Sequence, residues 1–197
     1  MRALSVDPQQ AQDSLLAEED DILVRAARAN PAAFGPLYGR YLDRVYAYLR
    51  ARTSDEAEAA DLTQQVFLRA LDALPRYRGA DGAFAAWLFR IARNAATDAH
   101  RRRRDTVAWD LVPEALHPRS EHDLDAPIER AEAIARLRVL VAALDAQTRD
   151  LLVLRFTARL TVAHIATVVG ASEAATQKRL SRAIQTLKGQ YHEGAGP

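Results

Sequence analysis

The chain has 197 residues, 27% of them charged, a formal net charge of +1 and no cysteine. Near-half hydrophobic content describes a globular protein rather than a disordered one, and the length fits one domain or two small ones. Disulfides, thiolate zinc sites and cysteine nucleophiles are excluded, and no run approaches the roughly 18 apolar residues of a membrane span.

The N-terminus, MRALSVDPQQAQDSLLAEEDD, has no basic start followed by an apolar block, so a cytoplasmic protein without membrane insertion is expected. The small net charge hides an alternation. Residues 1–24 carry six acids and one base, and residues 25–104 carry fifteen arginines and eight acids. Residues 105–132 carry eight acids and two bases, and residues 133–197 nine bases and four acids. Two basic blocks separated by acidic segments suit two polyanion-binding modules, although the acids could simply balance the bases for solubility.

In chain order, residues 1–19 read as an acidic, disordered tail and residues 20–29 as a short helix ending at Asn30-Pro31. Phe34, Tyr38, Tyr41, Leu42, Val45 and Leu49 form the apolar stripe of a second helix. Thr53-Ser54-Asp55-Glu56 has the form of a capping box. The helix after it runs through Leu62, Val66, Leu68 and Leu71 and stops before Pro75. The loop PRYRGADG follows, with Asp81 placed to cap the next helix.

That helix contains WLFRIARNAATDAHRRRR (87–104). At about 100° per residue, Phe84, Leu88, Ile91, Ala95 and the edge of Trp87 share an apolar sector. Arg90, Arg93, Thr97, Arg101 and Arg104 lie opposite, with Asn94 at the boundary beside Trp87. A membrane-lying helix would keep large apolar residues along its whole inner face. Here the second half offers alanine, Asp98 and Arg102, so a surface that tracks phosphates is the better reading, with a solvated arginine face as its rival.

Residues 105–129, with Pro113, Pro118 and Pro127, read as a flexible acidic linker. Helical spacing resumes with Ile134, Leu137, Val141 and Leu144. LLVLRF (151–156) could be a buried strand, but no partner strand exists, so helix is expected. LTVAHIATVVGASEAATQKRLSRAIQTL (160–187) has helix-turn-helix form: Thr161 starts a helix that buries Ile165, Ala166 and Val169. Gly170 takes the left-handed turn and Ser172 caps the second helix. Thr176, Leu180, Ala183, Leu187 and Tyr191 form its packed stripe, leaving Gln177, Lys178, Arg179, Arg182 and Gln185 for a DNA groove.

DLTQQVFLRALDAL, YRG and FAAWLFRIARNAATDAHRRRR (within 61–104), preceded by FGPLYGRYLDRVYAYLRAR (34–52), resemble region 2 of the sigma-70 family. Residues 133–191 resemble region 4 less closely. The size is similar to that of the extracytoplasmic-function (ECF) group, which keeps only these two regions. The resemblance implies an all-α protein of two small helical domains joined by a flexible acidic linker. Region 2 would occupy residues 20–104, the linker 105–129, region 4 residues 130–191 and a C-terminal tail 192–197. It also implies a sigma factor that binds core RNA polymerase and directs promoter recognition and melting, in a stress- or signal-responsive regulon.

By the same resemblance, Asp61, Gln64 and Gln65 meet the clamp helices of the polymerase β′ subunit, the β subunit is a further contact, and an anti-sigma factor restrains the chain. Tyr77, Arg78, Trp87, Arg90, Arg93, Asn94, Arg101 and Arg104 would capture and hold the −10 element, and Ser172, Thr176, Gln177, Lys178, Arg179 and Arg182 would read the −35 element. This chain departs from the family at His164, where Glu is usual, at Ala174-Ala175-Thr176-Gln177, where Gly-Thr-Val-Lys is usual, and at Ala60 and Gln65, where Glu is common. The rival function is a helix-turn-helix regulator that does not join polymerase. An enzyme is not expected, since the five histidines have no HExxH spacing and there is no phosphate-cradling glycine loop. His117 and His122 with Glu121 and Asp123 make at best a weak metal cluster that a solvated linker explains better, so no cofactor or metal is expected.

Overall fold

The computed structural model describes residues 8–53, 55–79, 84–106 and 128–193. The Asp81 cap, most of the 105–129 linker and its histidine cluster lie outside them, as do the first seven residues and the last four. Among the described residues every regular element is helical. The first unit holds α1 (Pro8–Ala29), α2 (Gly35–Arg50), α3 (Glu56–Ala73) and α4 (Phe84–Thr106). The second holds α5 (Ile128–Ala142), α6 (Ala146–Leu152), a π-helical turn (Val153–Thr157), α7 (Val162–Val169) and α8 (Glu173–Glu193).

The expectation of a disordered tail over residues 1–19 is corrected for residues 8–19, because α1 begins at Pro8. Between Gln9 and Asp21 there is no glycine and no β-branched residue, and Gln, Ala, Leu and Glu predominate. Its C-terminal half is tied down by Arg40, which donates to Glu19 at 2.8 Å and to buried Asp20 at 2.9 Å. The Tyr41 hydroxyl donates to the other Asp20 oxygen. Asn30 then caps the short 3-10 turn Pro31–Phe34, its side chain accepting from the Ala32 amide.

The capping box expected at Thr53 is also corrected. Asp55 caps α3, its carboxylate accepting from the Ala57 and Glu58 amides, while Thr53 donates its hydroxyl to the Leu49 and Asp55 carbonyls. Asp55 outcompetes Thr53 because its two oxygens reach two amides at once. On α3, Leu62 and Val66 are buried as the stripe requires, but Leu68 is 62% exposed. Phe67 fills the inward position instead, against Phe34 and Tyr38.

LLVLRF is helical, as the absence of a partner strand required. Its strand-like look has a packing cause. The segment meets α8 and also α2 of the first unit, so Leu151, Leu152, Val153 and Leu154 are buried in succession. α4 is flanked in the same way, packing against α2 and α3 and also against α7. The two units therefore share one continuous apolar core.

The helix-turn-helix closes as expected. Thr161 accepts from the His164 amide, Gly170 is left-handed at φ 72°, and Ser172 accepts from the Ala175 amide. Val168 is buried, where Val169, which packs against the core only in part, was expected. Nothing crowds the missing Cβ of Gly170, so Gly170→Ala tests conformation alone. It is expected to lower stability by roughly 1 kcal/mol, the strain of an L-residue in the left-handed region, read as a fall in the thermal midpoint with helix content unchanged.

Candidate nucleic-acid interface

The buried arc of α4 is wider than one apolar sector. Phe84, Leu88 and Ala95 are buried, and so are Phe89, Ala92, Ala96 and Ala99, roughly 100° further round. Phe89 stands edge-on to Tyr48 at 5.7 Å. The exposed side is correspondingly narrow: Arg90, Asn94, Thr97 and Arg101 follow one another along it, with half-buried Trp87 at its edge. Arg101 is 76% exposed and pairs only loosely, at 3.5 Å, with Asp98. The Arg104 side chain lies outside the described residues.

Tyr77 is buried, contrary to the expectation that its ring is free to stack on a base. It packs edge-on to Phe84 at 6.0 Å and tilted against Trp87 at 4.8 Å. Its ring end fills the space that a Cβ on Gly79 would occupy. The hydroxyl has no hydrogen-bond partner, and burial, with the nearby Asp21 and Asp20 charges, pushes its pKa up to about 12. Trp87 thus carries the partly open aromatic face, with Tyr77 as its support, and Arg78 beside it is exposed.

Arg93 is the second correction. It leaves the phosphate-facing row and donates through Nε to Asp150 of α6 at 2.8 Å. Asp150 is only 3% exposed and accepts from two further groups of the first unit, the Tyr48 hydroxyl at 3.0 Å and Arg52 Nη1 at 2.7 Å. Burying a carboxylate costs several kcal/mol unless its lone pairs are met. Here all the donors recorded for it come from the other unit. The charge on Arg93 was legible in the sequence, but its partner lies 57 residues away.

Asp61, Gln64 and Gln65 are all exposed on α3, within an arc of roughly 100° that also contains exposed Leu68. Leu68 is the residue that sequence reasoning missed, having been assigned to the core stripe. Its angular position, between the outward Gln64 and Gln65 and opposite the inward Val66 and Phe67, was the available signal. On α8, Gln177, Lys178 and Arg182 are exposed, and Ser172 is exposed while serving as the cap.

Two of the expected −35 readers are engaged within the chain. Thr176 is buried and donates its hydroxyl to the Ser172 carbonyl. Arg179 is held by the N-terminal turn of α6, donating to Asp145, Gln147 and Thr148. The same turn holds the Asp145 carboxyl below its ordinary range, chiefly through its bonds from Thr148 and then through Arg179.

The family model for Sigma-70 region 2 matches residues 37–106, and that for Sigma-70 region 4 matches residues 134–187. The ECF RNA polymerase sigma factor BldN of Streptomyces coelicolor is 35% identical over 182 residues, which cover 90% of this chain and 67% of that protein. The chain belongs to the sigma-70 family. The ECF RNA polymerase sigma factor SigD of Mycobacterium tuberculosis is 33% identical over 150 residues, 73% of this chain and 70% of that one. Such relatives set the chain in the ECF group of sigma factors. Among solved structures, CnrH in complex with the cytosolic domain of CnrY superimposes with a TM-score of 0.62 at 26% identity. That match covers 87% of this chain and 96% of CnrH.

Within this sigma factor, region 2 supplies α2 to α4 and region 4 supplies α5 to α8. The unpartnered Tyr77 hydroxyl makes a direct test of the aromatic cluster. Tyr77→Phe is expected to leave stability unchanged or raise it by about 1 kcal/mol, since an unmet buried polar group is removed. The folded pKa lies above the ordinary value of 10, so the stabilisation is complete below pH 10 and is lost as pH rises towards 12. Urea unfolding across that window should show the unsubstituted chain weakening faster than Tyr77→Phe.

Proposed function

We propose that this chain joins core RNA polymerase as its sigma subunit, directs it to promoters and helps to open the DNA there. The observation that carries this reading is the α4 face, where Trp87, Arg90, Asn94 and Arg101 line up beside one another on a single edge. A half-open indole offers a stacking surface for an unpaired base, at roughly 1–3 kcal/mol per base. The arginines supply backbone contacts and Asn94 supplies an amide for a base edge. On this reading Tyr77 holds Trp87 in place, and Arg78 extends the basic track.

Region 4 would read the −35 element through Gln177, Lys178 and Arg182, with Ser172 setting the helix start at the groove. The α3 arc of Asp61, Gln64, Gln65 and Leu68 would dock on the β′ clamp helices: a single apolar anchor ringed by polar groups is the composition of a transient protein contact. The β subunit would take the groove of about 580 Å³ between α5, the π turn and the end of α8. Ile134, Leu137, Phe156 and Leu187 line it, and Phe156 is 62% exposed. An anti-sigma factor would restrain the chain. Among the described residues no helix is long and apolar enough to cross a membrane.

Transcription reconstituted with core polymerase on a genomic library is the test, with discrete start sites dependent on this chain as the expected result. A chain that binds DNA yet never directs core to a start site would overturn the proposal in favour of a regulator. Arg90→Ala with Arg101→Ala should flatten the salt dependence of DNA binding, by about 0.9 per lost duplex phosphate contact or 0.7 on single strands. Leu68→Ala should cost core affinity about 1–2 kcal/mol. Because Leu68 is exposed, the thermal midpoint should stay put, which separates docking from folding.

A further inference from the structure

The second helix of the helix-turn-helix, α8, is held on two sides by contacts of different kinds. Towards α7 it packs through apolar residues, with Leu180 and Ala183 buried and Ile184 and Leu187 partly buried. Such packing depends on area removed from water and has no preferred direction, so it sets the rotation of the helix about its axis only loosely. The start of α8 is fixed locally, the Ala175 amide donating to the Ser172 hydroxyl and Thr176 to the Ser172 carbonyl.

On the other side the contact is a single guanidinium. Arg179 donates through Nε to Thr148 Oγ1 at 2.9 Å, through Nη2 to Asp145 Oδ1 at 2.8 Å, and through Nη1 to Gln147 Oε1. All three nitrogens of one planar group thus meet the N-terminal turn of α6, which fixes α8 in direction as well as distance. That turn is itself rigid. Asp145 caps α6, accepting from the Thr148 amide at 3.0 Å and from its hydroxyl at 2.6 Å. Arg149 ties the same turn back to α5, donating to the Ala142 carbonyl at 2.8 Å.

Arg179 stands about 60° from Arg182 and about 100° from Lys178 around α8, on the flank of the face that carries Gln177, Lys178 and Arg182. A rotation of about 15° moves a side-chain tip about 6 Å from the axis through roughly 1.5 Å. A base contact needs its groups placed within about 0.5 Å. The first turn offers Glu173, Ala174 and Ala175, with no cation or amide side chain to correct such a rotation.

We propose that Arg179 is a positioning residue for DNA recognition: clamped by Asp145, Gln147 and Thr148, it sets the rotation of α8, and so the aim of Gln177, Lys178 and Arg182, without touching DNA itself. This rests on the −35 reading for its DNA. Its own content is that α6, which lies outside the helix-turn-helix, takes part in sequence discrimination.

The test starts with duplexes carrying a randomised stretch, from which the full chain selects, and compares the enriched duplex with a scrambled one of equal length. Two quantities are read: the ratio of the two affinities, and the salt slope on the scrambled duplex. Arg179→Lys keeps the charge but loses the fork. It should lower the ratio about 10-fold, the loss of one base contact, and leave the slope unchanged. Asp145→Asn combined with Gln147→Ala changes α6 alone and should lower the ratio by a similar factor. Asparagine still caps a helix, and the ratio cancels any general gain from losing a negative charge. Adding Arg179→Lys to that pair should lower the ratio little further, because both changes break the same contact. Thermal midpoint and helix content should barely move, since Arg179 and Asp145 are both partly exposed.

An arginine that contacts phosphate would behave otherwise. Arg179→Gln would then flatten the slope on the scrambled duplex by about 0.9, and the α6 pair would leave the ratio untouched. Either result overturns the positioning role. A chain that prefers no duplex sequence would overturn both this role and the −35 reading. One that shows these shifts but never starts transcription with core would leave the role standing and sink the sigma reading.

Discussion

A carboxylate removed from water must be met by donors, and Asp150 meets that requirement only across the boundary between the two regions. Tyr48, Arg52 and Arg93 approach it from α2, the segment after α2 and α4. Those three elements can converge on one point only if α2 and α4 are already packed together, as Phe89 against Tyr48 shows. The region-4 side makes a matching demand, since Asp150 must sit where α6 runs into the π turn. Net, such a pair adds little to stability, because Coulomb attraction roughly offsets desolvation. What it supplies is a single allowed docking geometry.

α4 has the hardest packing problem in the molecule, since it must satisfy region 2 on one side and α7 on another while keeping an edge free. Its composition solves this by size. Large residues, Phe84, Leu88 and Phe89, fill the first half. Alanines 92, 95, 96 and 99 serve the second, where neighbouring backbones can come close. Their small side chains bury little area each, so the second half of α4 depends on contact with its neighbours more than on its own apolar content.

The fold class was readable because helix signals are local. Stripe spacing, Thr161, Gly170 and Ser172 each act within a few residues, and each stands where its chemistry placed it. The failures were of three physical kinds. Thr53 lost to Asp55 because two candidate caps lay within one turn and the carboxylate reaches two amides. Leu68 was placed inward because a stripe read at 100° per residue leaves about a residue of freedom at its edge. Arg93, Arg179 and Tyr77 stood out by residue type, but what each touches is set by residues far along the chain or by the fold of a loop. Charge was legible, and the assignment of each charge to a partner was not.

Gly79 gives the aromatic cluster an evolutionary consequence. The Tyr77 ring end lies where any side chain at position 79 would begin, so the two positions cannot vary independently. A lineage that gains a side chain at 79 must shrink or evict the tyrosine, and with it the floor beneath Trp87. Positions 77, 79 and 87 should therefore drift as one inherited unit, and a substitution at the glycine would be visible first as a change in the tryptophan's environment.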